Sequence, residues 1–563
     1  MEELKKLSTG FFKKNSELII TSIFLSALSS TIETVLVPRL LANIINNISN
    51  KELLKIEFIK LVLIWLLVKI VYMSSTYYRR QLEPEITKYI TNELLIMIFN
   101  KYEHENILTN VSVLINKIYL IKKCFQEFSY ILFSVFIPRT LVLLVGCVNV
   151  YMINSKIGLL LFACILFQIF SSVYNLKDCM VKSYDENETK DEMYEYIEDL
   201  FYNIDTIELT PNGFNFELKN INDMSDNIKK VEQDSLDCIT NKQYASNFIK
   251  FIFSVIILYF IYNLNMSDEL SPKDTTTILL LIIGILDNMS EISYYIPEAT
   301  SKFGLLMNNE DFLKSISYDV DNRKNKDKKI NLANGNIEFK NVSFSYENHK
   351  ILDNFSLIIK ENSFICFYGA SGSGKSTFIK LIYGIEKPTS GQILLGGNDI
   401  SEYQLKESRT YISYINQNTT NLFNKTVYNN IIYGYNDTNE LKEKIKNIFI
   451  EFEFYEIFKN LDEKKEKWSF LNENVGKLGE NLSGGQKQIV HLLRLELNDT
   501  SKIVILDEPS SALDDKTRES VSKYIKYLNL KGKTILLITH DDYYKKICEN
   551  ILNFNNDTNP VLT

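Results

Sequence analysis

The sequence predicts two architectures in series: an all-α transmembrane domain of about six helices, followed by an α/β domain. Three observations predict this. Apolar residues are concentrated in the first three hundred or so of the 563 positions. Several apolar stretches there reach the ~20 residues that a spanning helix needs. From about Ile330 onward the pattern changes to alternating strands and helices, as in α/β domains.

The chain begins MEELKKLSTGFFKKNSE, in which Lys5, Lys6, Lys13 and Lys14 accompany Phe11 and Phe12. This predicts an amphipathic helix lying on the membrane surface, or else a solvated basic tail. Glu2 and Glu3 argue against an acid-poor presequence, and no short apolar core with a small-residue cleavage site is present to mark a removable signal. Spanning-length stretches follow at about 18–45, 58–77, 128–152, 157–174, 248–264 and 275–296. The loops after the third and fifth stretches are short. The segments after the second and fourth, 79–123 and 177–242, are long, charged and helical in pattern. Lysines and arginines collect in these segments and at the N-terminus, which places those parts on the cytosolic (or organelle-matrix) side. An even number of spans returns the C-terminal domain to that same side.

Polar residues inside spans are costly and are functional suspects. Ser22, Ser26, Ser29 and Glu33 fall on one helical face that should look away from lipid. Arg139 lies near the middle of the third stretch and Gln168 near the middle of the fourth. Either Glu33 pairs with Arg139 across helices, with serines aiding close packing, or some of these residues line a substrate path. Seven cysteines are scattered singly with no CxxC spacing, so neither a zinc site nor a disulfide framework is indicated. The net charge of -8 gives no basis for nucleic-acid binding.

These patterns set the boundaries at 1–315 for the transmembrane domain, 316–334 for a Lys/Asp/Asn-rich linker, and 335–563 for the α/β domain. In the latter, the apolar run 364–368 feeds the loop Gly369-Ala370-Ser371-Gly372-Ser373-Gly374-Lys375-Ser376-Thr377, and a helix begins behind it. Glycines let the backbone N–H groups point inward at phosphates, and the helix N-terminus adds a favourable field. In such a loop Lys375 reaches the β- and γ-phosphates and Ser376 ligates Mg²⁺. The apolar run 503–506 is a buried strand that delivers Asp507 and Glu508 to the phosphate end. Asp507 suits a metal-organising carboxylate, and Glu508 suits the base that polarises attacking water. Leu482-Ser483-Gly484-Gly485-Gln486 lies about twenty residues before IVILDEPSSALD and about a hundred after GASGSGKST. Three nucleotide motifs in that order identify an ATP-binding cassette.

With short outer loops and long inner extensions in front of this cassette, the whole chain resembles the half-size ABC exporters. The resemblance implies an all-α six-helix transmembrane domain followed by an α/β ABC nucleotide-binding domain, driven by ATP and Mg²⁺. It implies that Tyr346 stacks on adenine, that Gln417 senses metal and water, and that His540 contacts the γ-phosphate. It also makes LSGGQ a half-site, in which Ser483 and Gly485, with Gln486, meet ATP held by a second cassette, while Asp514 carries signals between the two sites. Coupling turns are expected near 103–108 and 211–214. The sequence departs from the family at Asn416, where proline is usual before the glutamine, and at Lys477 and Leu478 in the segment before the signature. Ile489 replaces an arginine, and Arg494 falls on the later family arginine.

One chain holds one membrane domain and one cassette, so the resemblance implies a half-transporter that works as a dimer in membrane lipid. All site elements are intact, which favours a homodimer over a heterodimer. The cargo stays open. LFNKTVYNNIIYG and YNIDTIEL look most like the mitochondrial half-transporters that export a glutathione-linked sulfur species, while lipid, hydrophobic-drug and peptide export are alternatives. An ATP-gated channel or regulatory receptor is a further reading, by fold analogy.

Overall fold

The computed structural model describes residues 2–104, 111–174, 176–317, 332, 334–346, 349–370, 372–403, 405–416, 421–462, 466–509, 513–554 and 559–563. The chain divides into two compact units, Met1–Lys101 with Ile107–Tyr318, and Tyr102–Asn106 with Asp319–Thr563.

The first unit is helical: α1 (Glu2–Lys14), α2 (Ser16–Thr31), α3 (Val37–Asn46), α4 (Lys51–His104), α5 (Val111–Tyr130), α6 (Ile137–Ile153), α7 (Ser155–Val173), α8 (Lys177–Tyr202), α9 (Ile204–Leu209), α10 (Gly213–Met266), α11 (Pro272–Asn308) and α12 (Glu310–Ile316). Helices α4 and α10 each run 54 residues. At 1.5 Å per residue that is about 80 Å, far more than the ~30 Å of a bilayer's hydrocarbon core, so both extend well past it. Among the described residues, five helices are long and apolar enough to cross a membrane: Ser16–Asn46, Leu114–Ile153, Ser155–Tyr202, Gly213–Met266 and Pro272–Ile316. About six were expected. The difference is the stretch 58–77, which lies inside α4 and carries Lys60 and Lys69 within its apolar run. Its Leu63, Leu66, Leu67 and Ile70 are exposed, so this helix too presents an apolar surface.

Two π-helical turns interrupt the bundle, Ile32–Leu36 between α2 and α3 and Ile131–Phe136 between α5 and α6. Each runs into the same short pattern, Val35-Leu36-Val37-Pro38-Arg39 and Val135-Phe136-Ile137-Pro138-Arg139. A proline inside a helix has no N–H to donate and its ring crowds the carbonyl four residues back, which a wider turn accommodates.

The first of these turns changes the expected polar face. Ser22 and Ser29 are buried, but Glu33 lies within the π turn and is exposed. Thr34 takes the buried position and accepts a hydrogen bond from Asn288 Nδ2 at 3.0 Å. Arg139 therefore does not pair with Glu33. It forms an ion pair with Glu291 at 2.7 Å and donates to Asn288 Oδ1 at 2.8 Å and to Ser30 Oγ at 3.4 Å. Gln168 is buried and donates to the Ser246 carbonyl at 2.9 Å and to Ser293 Oγ at 3.2 Å, tying α7 to α10 and α11. Arg139→Gln should destabilise the solubilised protein by roughly 1–3 kcal/mol, because Glu291 loses its charged partner in a half-buried setting. Adding Glu291→Gln should recover most of the loss in a thermal melt. Recovery by Glu33→Gln instead would contradict the observed pairing.

The N-terminal segment forms the expected amphipathic helix, α1. It buries Leu4, Leu7 and Phe11, at spacings of three and four, in a cluster with Ile90 and Leu94 of α4, Phe125 of α5 and Leu313 of α12. The N–H groups of Glu3 and Leu4 donate to the Glu310 carboxylate at 3.2 and 3.3 Å, which caps the helix start. Its apolar face is thus packed against the helical unit. The cysteines are a further correction. Cys179 on α8 is bonded to Cys238 on α10, and Cys366 in the second unit to Cys548. Sequence separations of 59 and 182 residues conceal these pairs, because helix packing and strand order bring them together.

The second unit holds two sheets. A four-stranded sheet, order β2-β1-β4-β5, contains β1 (Ile337–Tyr346), β2 (His349–Ile359), β4 (Ser390–Leu395) and β5 (Asn398–Asp399). A six-stranded sheet, order β10-β9-β3-β8-β7-β6, contains β3 (Phe364–Gly369), β6 (Ile412–Ile415), β7 (Ile503–Asp507), β8 (Thr534–Ile538), β9 (Asn550–Phe554) and β10 (Val561–Leu562). Strands β9, β3, β8, β7 and β6 are mutually parallel. Helices α13 (Lys375–Ile382), α14 (Leu405–Thr410), α15 (Val427–Ile431), α16 (Asn439–Glu451), α17 (Phe454–Phe458), α18 (Gly484–Arg494), α19 (Asp515–Leu530) and α20 (Asp542–Lys545) complete it. Along β7, Ile503 and Ile505 join one apolar core while Val504 and Leu506 join the other. Burial on both faces is why this strand reads as an unbroken apolar run.

Candidate nucleotide site

The site gathers at the ends of β3, β7 and β8. After β3 the chain turns through the loop at 370–374 and enters α13, whose N-cap is Gly374 at φ 96°. A Cβ at Gly374 would stand 2.8 Å from Ile351 Cγ2, on a backbone conformation that L side chains rarely adopt. Lys375, the first helical residue, is buried, and its ammonium donates to the carbonyls of Gly369 and Ala370 at 2.8 Å each. Burial pulls its pKa down, against Glu508 and Asp507, whose charges raise it. Ser376 is exposed and Thr377 buried. Ser373 Oγ is buried with no hydrogen-bond partner among the described residues, a polar atom set into the loop and suited to a phosphate oxygen. Gly372 has open space around the position of a Cβ. Ser371 and Gln417, both expected at the site, lie outside the described residues.

Asp507 closes β7 and is 8% exposed. Burial and the adjacent Glu508 charge push its carboxyl up, while Lys375, a hydrogen bond from Tyr414 and His540 act to lower it. Glu508 adopts φ 52°, a left-handed conformation that costs a non-glycine residue about 1–3 kcal/mol. Its N–H donates to the Ile538 carbonyl at 2.9 Å, and its carbonyl accepts from Gln488 Nε2 at 3.3 Å. Held this way, its side chain is 14% exposed and Oε1 lies 3.6 Å from Nε2 of the half-exposed His540. Oε1 has no hydrogen-bond partner among the described residues. An inward carboxylate, a buried ammonium and a terminal histidine thus converge from three neighbouring strands.

The donor set also fits Mg²⁺, which takes hard oxygens from one or two side chains and the rest from phosphates and water. Ser376 and Asp507 are such side chains. Among the described residues no three His, Cys, Asp or Glu converge on one point, so the fit depends on a nucleotide.

The other expected residues lie apart in kind. Tyr346, at the end of β1, is 39% exposed, donates to Glu386 Oε1 at 3.0 Å, and meets Phe344 edge to face at 4.9 Å. Ser483 is exposed at the N-cap of α18, where a capping box forms: Gln486 N–H donates to Ser483 Oγ at 3.2 Å and Ser483 N–H to Gln486 Oε1 at 2.9 Å. Gln486 Nε2 donates to the Ile457 carbonyl at 2.9 Å, so both ends of that amide are engaged within the chain. Gly485 is half-buried in the first turn. Asp514 caps α19 by accepting from Thr517 N–H at 2.7 Å. Arg494 donates to the Asn430 carbonyl at 2.7 Å. Burial, and after it the Arg494 charge, lowers the pKa of His491 to about 4.

Sequence reasoning missed Tyr414 and Gln488. Tyr414 is one of 33 tyrosines and carries no motif, and Gln488 reaches Glu508 only because α18 packs beside β7. Burial and the Asp507 charge push the Tyr414 phenol well up, which keeps it a donor to that carboxylate.

Comparison with known proteins identifies the domain and the fold that carry this site. The family model described as ABC transporter matches residues 352–511. An ATP-dependent lipid A-core flippase of Vibrio vulnificus (strain CMCP6) is 31% identical over 319 residues, covering 55% of this chain and 52% of the relative. One from Francisella tularensis subsp. holarctica (strain OSU18) is 30% identical over 259 residues, covering 46% and 40%. The chain spans about half the length of these curated relatives, or less, in the aligned part. The solved structure of a bacterial Atm1-family ABC exporter with ATP bound superposes with a TM-score of 0.82 at 16% identity, covering 99% of this chain and 96% of that one. Residues 352–511 are an ABC transporter domain, and they stand in a chain that has the fold of an Atm1-family ABC exporter.

Proposed function

We propose that this chain is an ATP-hydrolysing half-transporter that exports its cargo by alternating access, as a homodimer with two composite nucleotide sites. The observation that carries the reading is the convergence of Lys375, Asp507, Glu508 and His540 in a cassette whose signature helix α18 starts exposed. Lys375 exchanges its loop carbonyls for phosphate oxygens, Glu508 holds the attacking water, and His540 contacts the γ-phosphate. Ser376 and Asp507, with Gln417, hold Mg²⁺, which when bound neutralises phosphate charge. Tyr346 flanks adenine. Ser483 and Gly485 accept the γ-phosphate of ATP on the second copy, at a helix N-terminus suited to anions.

The helical unit supports a partner as well. The turn at 210–212 between α9 and α10, an expected coupling turn, is ringed by exposed Leu209, Phe214 and Phe216. Exposed apolar tips of this kind mark contact surfaces. Its counterpart near 103–108 lies largely outside the described residues. The N-terminus and cassette face the cytosolic or matrix side.

Reconstituted into proteoliposomes, the protein should concentrate amphipathic fluorescent substrates in the vesicle lumen in an ATP-dependent way, from cassettes facing outward. ATP-gated current across a planar bilayer, with no uphill accumulation, would favour the channel reading and defeat this one.

A further inference from the structure

His540 leaves the end of β8 with a half-exposed ring, 3.6 Å from Glu508 and beyond hydrogen-bond range of it. The direction of that ring is set by the backbone on either side. Before it, Thr539 is buried, and its Oγ1 accepts from the Asp541 N–H at 3.0 Å. After it, Asp541 Oδ1 accepts from the Tyr543 N–H at 2.9 Å and so caps α20. The remaining oxygen, Oδ2, lies 3.2 Å from Nε of Arg518 on α19. Asp541 thus gives its N–H and both carboxylate oxygens to fixing the turn that carries His540.

Arg518 sits one turn into α19, where its N–H donates to the carbonyl of Asp514, the N-cap, at 2.9 Å. A cation toward the start of a helix opposes the field of the backbone dipoles, so this arginine stands against local preference. Its guanidinium answers with two carboxylates, Asp515 Oδ1 at 3.1 Å from one terminal nitrogen and Asp541 Oδ2 from Nε. Among the described residues it is the one cation within ion-pair distance of Asp541. The side chains of Arg518 and Asp541 are 27% and 26% exposed, a level at which an ion pair adds little to stability. What the pair does is geometric: it ties the turn around His540 to the first turn of α19.

We propose that Arg518 is a positioning residue for ATP hydrolysis, holding Asp541 so that the ring of His540 points at the γ-phosphate. Arg518 acts only through Asp541 and the turn. Displacing a reacting group by about 1 Å can cost up to 10²-fold in rate, so loosening this turn slows the chemical step and leaves nucleotide binding to the phosphate loop. The inference rests on the reading that His540 contacts the γ-phosphate.

The test uses the full chain in lipid nanodiscs, with steady-state ATPase kinetics and fluorescent-nucleotide binding on the same samples. Two variants break the contact from opposite ends: Arg518→Met, and Asp541→Asn, which removes the charge and keeps a residue able to cap α20. Each should lower kcat at least about fivefold, while the KM for ATP and nucleotide binding stay within about twofold of the parent. Combining them should cost no more than the worse single change, because both remove one shared interaction. In a His540→Ala background, Arg518→Met should alter the residual single-turnover rate by less than about twofold, since no ring is left to aim. A parental kcat in Arg518→Met, a loss that falls on KM and binding instead of kcat, or a full additive loss in the His540→Ala background would overturn the inference. Slow turnover in His540→Ala beside parental turnover in Arg518→Met removes the inference alone. Parental turnover in His540→Ala would remove both it and the γ-phosphate reading on which it rests.

Discussion

Glu508→Gln should bind ATP as the parent does, yet hydrolyse it at least about a hundredfold more slowly in steady state, since positioned proton transfer is worth 10²–10⁴ in rate. The substitution keeps the volume of the side chain. It also leaves the backbone links that place it, the N–H to Ile538 and the carbonyl to Gln488. What it removes is a negative charge 3.6 Å from His540 in a nearly enclosed setting, and with it the means of orienting and deprotonating water. Nucleotide-bound cassettes should then persist as closed pairs. Phosphate release and fluorescent-nucleotide binding, measured side by side, decide the matter, and turnover near the parent rate would refute the role given to Glu508.

The second large effect concerns the composite site. Lys375→Ala removes the buried ammonium of the phosphate loop, and Ser483→Arg fills the exposed start of α18 with a bulky charge. Each variant alone damages both sites of a homodimer and should lose nearly all ATPase activity. A mixed dimer contains one doubly damaged site and one intact site. Random mixing gives half mixed dimers, so about a quarter of parental activity should return if sites fire independently, as expected of a two-fold symmetric assembly. Mixed dimers that form, by affinity capture of two tags, and are as inactive as their parents would rule out independent composite sites.

The nucleotide site was legible in the sequence wherever its chemistry is local. A glycine loop must lie directly between a strand and a helix, and a buried parallel strand must be apolar on both faces, so 369–377 and 503–508 announce themselves without any knowledge of the fold. The contacts that failed to announce themselves join residues far apart along the chain. Arg139 and Glu291 are brought together by helix packing, and Glu33 was misplaced because a π turn rotated it off the face that an ideal helix would give. The amphipathic pattern of α1 is local and readable, while its packing partners Phe125, Ile90 and Leu313 lie far along the chain. Cys366 and Cys548 meet through the placement of β3 beside β9, which no cysteine spacing encodes.

The ladder between β7 and β8 has a mechanical consequence. It pairs Asp507 with Ile538 in parallel register, so Glu508 and His540, 32 positions apart along the chain, are set opposite each other by the sheet and not by the connection between them. Extra length inserted in the surface turn after α19 should be absorbed there without moving either side chain. A single extra residue inside β8 would instead shift its register by one, turning Leu537 and Ile538 to opposite faces and carrying His540 out of line with Glu508. The sheet thus serves as the gauge that fixes the spacing of these two side chains, on which the proposed reaction depends.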